Sequence, residues 1–356
     1  MNSNINDIDG ENNIDNYLID GFKHEPGVHC TSSAIRNIFE FHGFPMSEAM
    51  VFGLGSGLGL GFMKFKGIGS TIGGRQYKFE DNLCNLLNIH LNKFQTTNPE
   101  EGWHKLKSML EKNIPAAINL DMAYLPYQEL PGGFHFGQHA VVVCGYNPKN
   151  STVLIADTQF PDIKEVTLND LDAARNSKYD RWMDPRNFIY EFDFPDSLPD
   201  MKKVIPTAIR LNGKNLQQKG RMMRIFGITN GLVAISKFSK SLGSWLNLTQ
   251  KELEDQGRNT SGFISDYGTG GGLFRYLYAR FLQEAADIQN DDSLADIGKS
   301  YKDLGDKWEE VSKIIREMHQ IPKGEISQAI ETTRHNLVEI KSLELQNALK
   351  LQNYSG

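Results

Sequence analysis

Apolar positions across residues 31–42 recur at a helical interval. Ala34, Ile35, Ile38 and Phe39 share one face, and Gly43 supplies a stop. Residues 47–52 predict a second short helix, opened by a serine cap with Glu48 in its first turn. Residues 53–61 carry glycine at every second position and predict a loop. Residues 78–87 and 99–112 are again helical in spacing, the second with Trp103, Leu106 and Leu110 on one face. The pattern then changes. Residues 114–120 form a short apolar run, and 140–146 are valine-rich and too short for a globular helix. Asn147-Pro148-Lys149-Asn150 is turn chemistry, and 152–156 are apolar once more, so 140–156 predict an antiparallel hairpin. A brief helix at 168–174 and a strand at 188–192 close this part of the chain.

Pro195, Pro199 and Pro206, set among charges, mark a boundary. Beyond it, residues 220–242, 271–288, 296–317 and 323–351 all show helical periodicity, which predicts an all-α domain of at least four helices. The expected division is a flexible lead-in at 1–19, an α+β domain at 20–200 and a helical domain at 201–356. A chain of 356 residues has apolar surface enough for two cores without a disulfide or metal staple. Its net charge of −6 argues against nucleic acid as a partner, and no run reaches the apolar length of a membrane span. Residues 1–20 are polar, acidic and asparagine-rich, unlike a signal or transit peptide, so a cytoplasmic setting is expected. Three cysteines, Cys30, Cys84 and Cys144, are too few and too scattered for a disulfide framework or a zinc site.

Cys30 opens the first predicted helix, in His29-Cys30-Thr31-Ser32-Ser33-Ala34. The positive end of a helix favours thiolate, the nucleophilic form, although a lone free cysteine is more often an inert core residue. His139 starts the valine strand and supplies the base that a cysteine nucleophile needs. By itself it would read as a core histidine. Asp157 ends the second strand of the hairpin. Folding about Pro148 and Lys149 sets it opposite residue 139 or 140, where a carboxylate would orient the imidazole and stabilise its cation. A turn aspartate is the plainer alternative. His24 stands six residues before Cys30 in a turn that feeds the helix. Papain-like enzymes, which this arrangement resembles, place an oxyanion donor at that spacing, which implies that role for the His24 ring N–H beside the Cys30 amide, unless the histidine is merely exposed.

Taken together, these residues resemble the papain-like superfamily, in which a side-chain amide donor, usually glutamine, stands six residues before the cysteine. More closely the chain resembles the butirosin biosynthesis protein H family. The similarity is carried by His29-Cys30 through Asn37, by Phe52-Gly53-Leu54-Gly55-Ser56-Gly57 and by Gln138-His139-Ala140-Val141-Val142-Val143-Cys144-Gly145-Tyr146. Gly268 through Arg275, with Tyr278, Ala279, Phe281, Leu282 and Glu284, resembles the helical domain that follows in that family. The resemblance implies a papain-like fold. It also implies acyl transfer in antibiotic or other specialised-metabolite biosynthesis, from a carrier-protein thioester to an amine, through a Cys30 acyl-enzyme. The implied partners are an acyl carrier protein, which would bring its own phosphopantetheine, and a small-molecule amine acceptor. No cofactor of the chain's own is implied. Thr31 departs from the glycine expected after the cysteine, and Thr158 from a common proline. Neither change removes a catalytic group. A hydrolase acting on an amide or thioester would use the same residues, and a non-catalytic binding module would need none of them.

Two glycine segments invite a binding role. Gly55, Ser56 and Gly57 lack the Gly-Lys-Ser/Thr ending of a phosphate loop but would allow close backbone approach to a substrate. Gly270 and Gly271, with Arg275, precede a helix whose start would suit an anion such as a phosphopantetheine phosphate, or serve as a tight turn. His135, four residues before His139, would suit a metal only on a helix, and its glycine neighbours argue against one. Cys84 and Cys144 read as packing residues. The stripe of Ile326, Ile330, Leu337 and Ile340 suits either a core or a homodimer seam.

Overall fold

The helix expected at 31–42 forms as α1 (Cys30–Phe41) in the computed structural model, which describes residues 17–65, 69–130, 133–179, 183–218 and 228–356. His29 caps α1. Its Nδ1 accepts the Ser32 amide at 3.2 Å, satisfying one donor that a helix start leaves over. The predicted apolar face, Ala34, Ile35, Ile38 and Phe39, is buried. Next come α2 (Glu48–Leu54), capped by Ser47, and a hairpin of β1 (Leu58–Phe65) and β2 (Gly69–Arg75). They are followed by α3 (Phe79–Leu86), β3 (His90–Phe94) and α4 (Pro99–Leu110). β4 (Ala116–Leu120), β5 (His139–Asn147), β6 (Thr152–Ala156) and β7 (Lys164–Thr167) follow, then α5 (Leu168–Arg175) and β8 (Ile189–Asp193). The rest comprises α6 (Met201–Gln217), the two-residue β9 (Thr229–Asn230), α7 (Val233–Ser241), α8 (Gln250–Ser261), α9 (Arg275–Gln289), α10 (Asp292–Glu317) and α11 (Ile326–Gln352). Residues 1–16 of the lead-in expected at 1–19 and the first part of the expected helix at 220–242 lie outside the described residues.

The chain divides into two compact units, and neither is contiguous. One takes the residues up to 43 together with 92–191. The other takes 44–91 together with 192–356. The division expected at residue 200 therefore gives way to one in which 44–91 belong with the C-terminal helices. Short-range glycines explain why. At Gly53 a Cβ would collide with the Phe281 ring, so the bare backbone of α2 lets that ring seat directly on it. Ser56 Oγ donates to Ala208 O at 3.0 Å, and Asn212 Nδ2 donates to Leu58 O at 3.0 Å, tying this stretch to α6. The predicted glycine loop in fact continues into β1, which pairs antiparallel with both β2 and β9. The helical region is thus interrupted by the short strand β9. The expected proline linker is also shorter than its sequence suggests, because Pro206 lies inside α6. A proline there cannot donate to Lys202 O, and Gln289 Nε2 does so instead at 3.0 Å. Ile330, Leu337 and Ile340 are buried within this unit, so that stripe of α11 is core.

In the other unit a six-stranded sheet runs in the order β3-β8-β4-β5-β6-β7. α1 packs on β5 and β4. β4 pairs antiparallel with β5, Leu120 lying opposite His139. β5 and β6 form the expected hairpin, joined by the four residues between Asn147 and Thr152. Its register changes midway: Gly145 faces Leu154, but Val143 faces Ile155, which leaves Cys144 as one extra residue on β5. Cys144 O accepts the Ile19 amide at 2.8 Å, and Leu18 bridges Gly145. Gly145 has no side chain because the Tyr17 carbonyl oxygen and the Leu154 side chain occupy the place of its Cβ.

Gly145→Ala should therefore expel the 17–19 segment from the bulge. The expected loss is roughly 1–3 kcal/mol of stability, the range for overpacking a tight site. Denaturant unfolding measures the loss, and faster hydrogen exchange at the Ile19 amide locates it.

Candidate active site

The bulge decides where Asp157 arrives. On a strand, side chains alternate faces, and residues directly opposite each other share one. From Asn147↔Thr152 through Gly145↔Leu154 the paired residues keep one register, which if continued would set Asp157 opposite Val142. Val142 lies three residues from His139 and so on the other face. With Cys144 inserted, Ala156 pairs with Val142, and the next residue, Asp157, falls opposite Val141, on the face of His139. The expected pairing of 157 with 139 or 140 is thus corrected to a diagonal, two residues out of register. The longer loop moves the pairing away from that expectation, and the bulge takes back one residue of the shift. Diagonal neighbours on one face lie within reach of long side chains, and His139 Nε2 donates to Asp157 Oδ1 at 2.8 Å.

The same imidazole is hydrogen-bonded to the Cys30 thiol. With Nε2 committed to Asp157, the nitrogen on the sulfur side is Nδ1. Cys30 is half-buried at the first position of α1, with Sγ 3.8 Å from Thr31 Oγ1. His139 is 4 % exposed and Asp157 fully buried. Burial alone would push the imidazole toward its neutral form. The charge of Asp157, its hydrogen bond and the Cys30 contact outweigh that and raise His139 to about 10. Burial likewise pushes the Asp157 carboxyl up, but His139, Tyr127 and Gln128 together hold it below its ordinary range. Tyr127 Oη and Gln128 Nε2 each donate to Asp157 Oδ2 at 3.0 Å. Sequence spacing gives no sign of these two residues, which lie in a connection with no periodic pattern.

His24 does not present the oxyanion donor expected of it. Its Nε2 donates to Phe160 O at 2.7 Å, and its Nδ1 accepts from Asn37 Nδ2 at 3.1 Å. Both ring nitrogens are therefore spent on holding the turn before α1. Gly27 N donates to Thr158 O at 2.9 Å, and Arg36 donates to the carbonyls of Glu25 and Pro26. The His24 and Gly27 bonds fasten the lead-in of Cys30 to the segment after Asp157, and the Arg36 bonds fasten it to α1. Thr158 supplies one of the acceptors.

The two glycine segments are built into the other unit. Gly55, Ser56 and Gly57 are buried. A Cβ on Gly55 would meet Phe79 and one on Gly57 would meet Phe52, so these residues serve packing rather than a substrate. Gly270 is exposed, the Gly271 amide donates to Thr269 Oγ1 at 3.1 Å, and the Gly272 amide donates to the Glu309 carboxylate. The chain's own carboxylate thus takes the place expected for an external anion. Arg275 is fully buried: Nε donates to Glu344 Oε1 at 2.8 Å, Nη2 to Gly59 O at 3.1 Å, and Nη1 to Leu273 O. Trp308 Nε1 reaches the same Glu344 oxygen at 3.2 Å. Cys84 and Cys144 are buried, and burial pushes the Cys144 thiol well up, away from thiolate.

A helix that starts on a cysteine and lies against an antiparallel sheet carrying histidine and aspartate defines an α+β protein of papain-like fold. A family model described as the N-terminal part of butirosin biosynthesis protein H matches residues 29–158, and one described as a domain of unknown function (DUF4872) matches 169–351. The chain belongs to the butirosin biosynthesis protein H-like family, with that second domain behind the first. No curated protein matches it. Among the described residues no helix is long and apolar enough to cross a membrane.

Two outcomes are expected. Arg275→Ala leaves Glu344 buried without its cation and should cost about 3–5 kcal/mol in denaturant unfolding, the range for breaking a buried ion pair. Below its raised pKa His139 stays cationic, so its charge supports the Cys30 thiolate through neutral pH and is lost only as pH climbs toward 10. Asp157→Asn removes the charge that raises His139. Alkylation of Cys30 by iodoacetamide near neutral pH should then slow by about tenfold or more, since each pKa unit is a factor of ten.

Proposed function

We propose that the chain is a cysteine-dependent acyltransferase of specialised-metabolite biosynthesis. The observation that carries this reading is the buried His139 imidazole, held between the Cys30 thiol and a fully buried Asp157 carboxylate. The Cys30 thiolate attacks the carbonyl of an acyl or aminoacyl thioester borne by a carrier protein on its phosphopantetheine arm. The carrier thiol leaves with the proton of His139, and the acyl group stays on Cys30. An amine acceptor then attacks the acyl-enzyme. His139 takes its proton, an amide forms, and Cys30 leaves as thiolate. The Cys30 amide, at the positive end of α1, stabilises the oxyanion in both steps. Asp157 holds the ring and its charge throughout.

Hydrolysis is the second reading, and the half-exposed Cys30 supports it, because water can reach an acyl group there. The two readings share the acyl-enzyme and differ in what resolves it. A non-catalytic module gives no reason for a cysteine, histidine and aspartate in one hydrogen-bonded line.

Incubation with acyl-carrier thioesters, followed by intact-mass measurement, should show an acyl adduct on the wild-type chain and none on Cys30→Ala. An adduct that persists in Cys30→Ala would remove Cys30 as the nucleophile. Amide product on adding a primary amine supports transfer, whereas free acid alone, with or without amine, moves the assignment to hydrolysis.

A further inference from the structure

The connection from β4 to β5 runs from Asp121 to Gln138, and two sets of bonds among its described residues bear on the site. The first gathers on Asp121, which is 1 % exposed. Its Oδ1 accepts the amides of Ala123 at 3.1 Å and Phe136 at 3.0 Å, one near each end of the connection. Its Oδ2 accepts His135 Nδ1 at 2.8 Å and Ser177 Oγ at 2.6 Å. The Met122 amide also donates to Phe136 O at 3.3 Å, so the two ends are pinned side by side. The second set lies at Tyr127 and Gln128, which both donate to Asp157 Oδ2. Leu125, between the two sets, is buried. The Tyr127 ring meets the Phe160 ring edge-on, with centroids 5.1 Å apart, and Phe160 is the residue whose carbonyl holds His24.

We propose that Tyr127 and Gln128 are positioning residues for Asp157, carried by a connection that Asp121 anchors at both ends. The proposal rests on the reading of Cys30, His139 and Asp157 as the catalytic line and deepens it. A carboxylate has two oxygens and rotates about one bond. Two donors on Oδ2 fix that rotation and leave Oδ1 aimed at His139 Nε2. They also favour the ionised form of a carboxyl that burial would otherwise protonate. Neither residue touches the reacting sulfur, so their effect reaches the chemistry through Asp157.

The test uses the full chain with Tyr127→Phe, which keeps the ring contact with Phe160, Gln128→Leu, and the double variant. The first readout is the proton that His139 Nε2 shares with Asp157, observed as a downfield proton resonance in a Cys30→Ala background. The second is the acid limb of Cys30 alkylation by iodoacetamide. Each single variant should broaden the resonance and move the acid limb to higher pH, and the double variant should lose the resonance and shift the limb by about one unit or more. Thermal unfolding verifies that each variant is folded at the temperature used, with Tyr127→Phe as the milder change. A resonance and an acid limb in the double variant that match the wild type overturn the proposal. Neither readout needs an acyl donor. Failure of wild-type chain to form an acyl adduct, with the resonance still dependent on Tyr127 and Gln128, would count against acyl transfer alone.

Discussion

One inserted residue in β5 governs the geometry on which the proposed chemistry rests. Alternation makes a strand's two faces exclusive, so a carboxylate that arrives one position early points away from the imidazole it should hold. The extra Cys144 turns Asp157 onto the face of His139. The same bulge offers its carbonyl to Ile19, and Gly145 beside it makes room for the Tyr17 backbone. The bulge is thus secured by the segment that leads toward α1. Bulges commonly occur beside active sites for this purpose: they re-aim a side chain without breaking the sheet.

The aspartate so delivered is buried, and a buried carboxylate is costly unless every lone pair is answered. Three side chains answer it: His139 on one oxygen, Tyr127 and Gln128 on the other. The result is an imidazole whose cation is stabilised against its own burial. Around this pair runs a second layer in which His24 and the Gly27 amide tie the approach to α1 to residues 158–160, while Asn37 and Arg36 hold that approach from the helix. His24 therefore serves the site as a strut. A histidine with one ring nitrogen donating and the other accepting has nothing left to give an oxyanion.

The helical unit follows a different economy. Residues that looked like a ligand loop at Gly55–Gly57 and an anion cradle at Gly270–Arg275 are absorbed by the unit's own packing. Glycines at 53, 55 and 57 admit aromatic rings against the backbone, Glu309 caps the start near Gly272, and Glu344 takes the Arg275 guanidinium. Close backbone approach is what glycine-rich segments permit, and sequence does not say whether a substrate or a phenylalanine will make the approach.

The sequence by itself marked many of the elements, though not β1, β2, β3 or β7, and led to the expectation of a cysteine–histidine–aspartate line. The period-3.6 face of α1, the valine-rich β5 and the turn before β6 are local patterns, and local patterns survive folding. Cys30 at a helix start and His139 at a strand start were legible because a residue's place within an element is also local. What tertiary structure decided was register, partners and unit membership. The bulge at Cys144 has one local sign, Gly145 inside a strand pattern, but that sign does not say which register the partner strand takes. Tyr127 and Gln128 matter only because a distant aspartate lies within 3.0 Å of them. Residues 44–91 join the C-terminal helices because Gly53 meets Phe281 and Ser56 meets Ala208, contacts between segments far apart along the chain. Such contacts depend on three-dimensional complementarity between segments that share no periodicity, which is why pattern alone does not reach them.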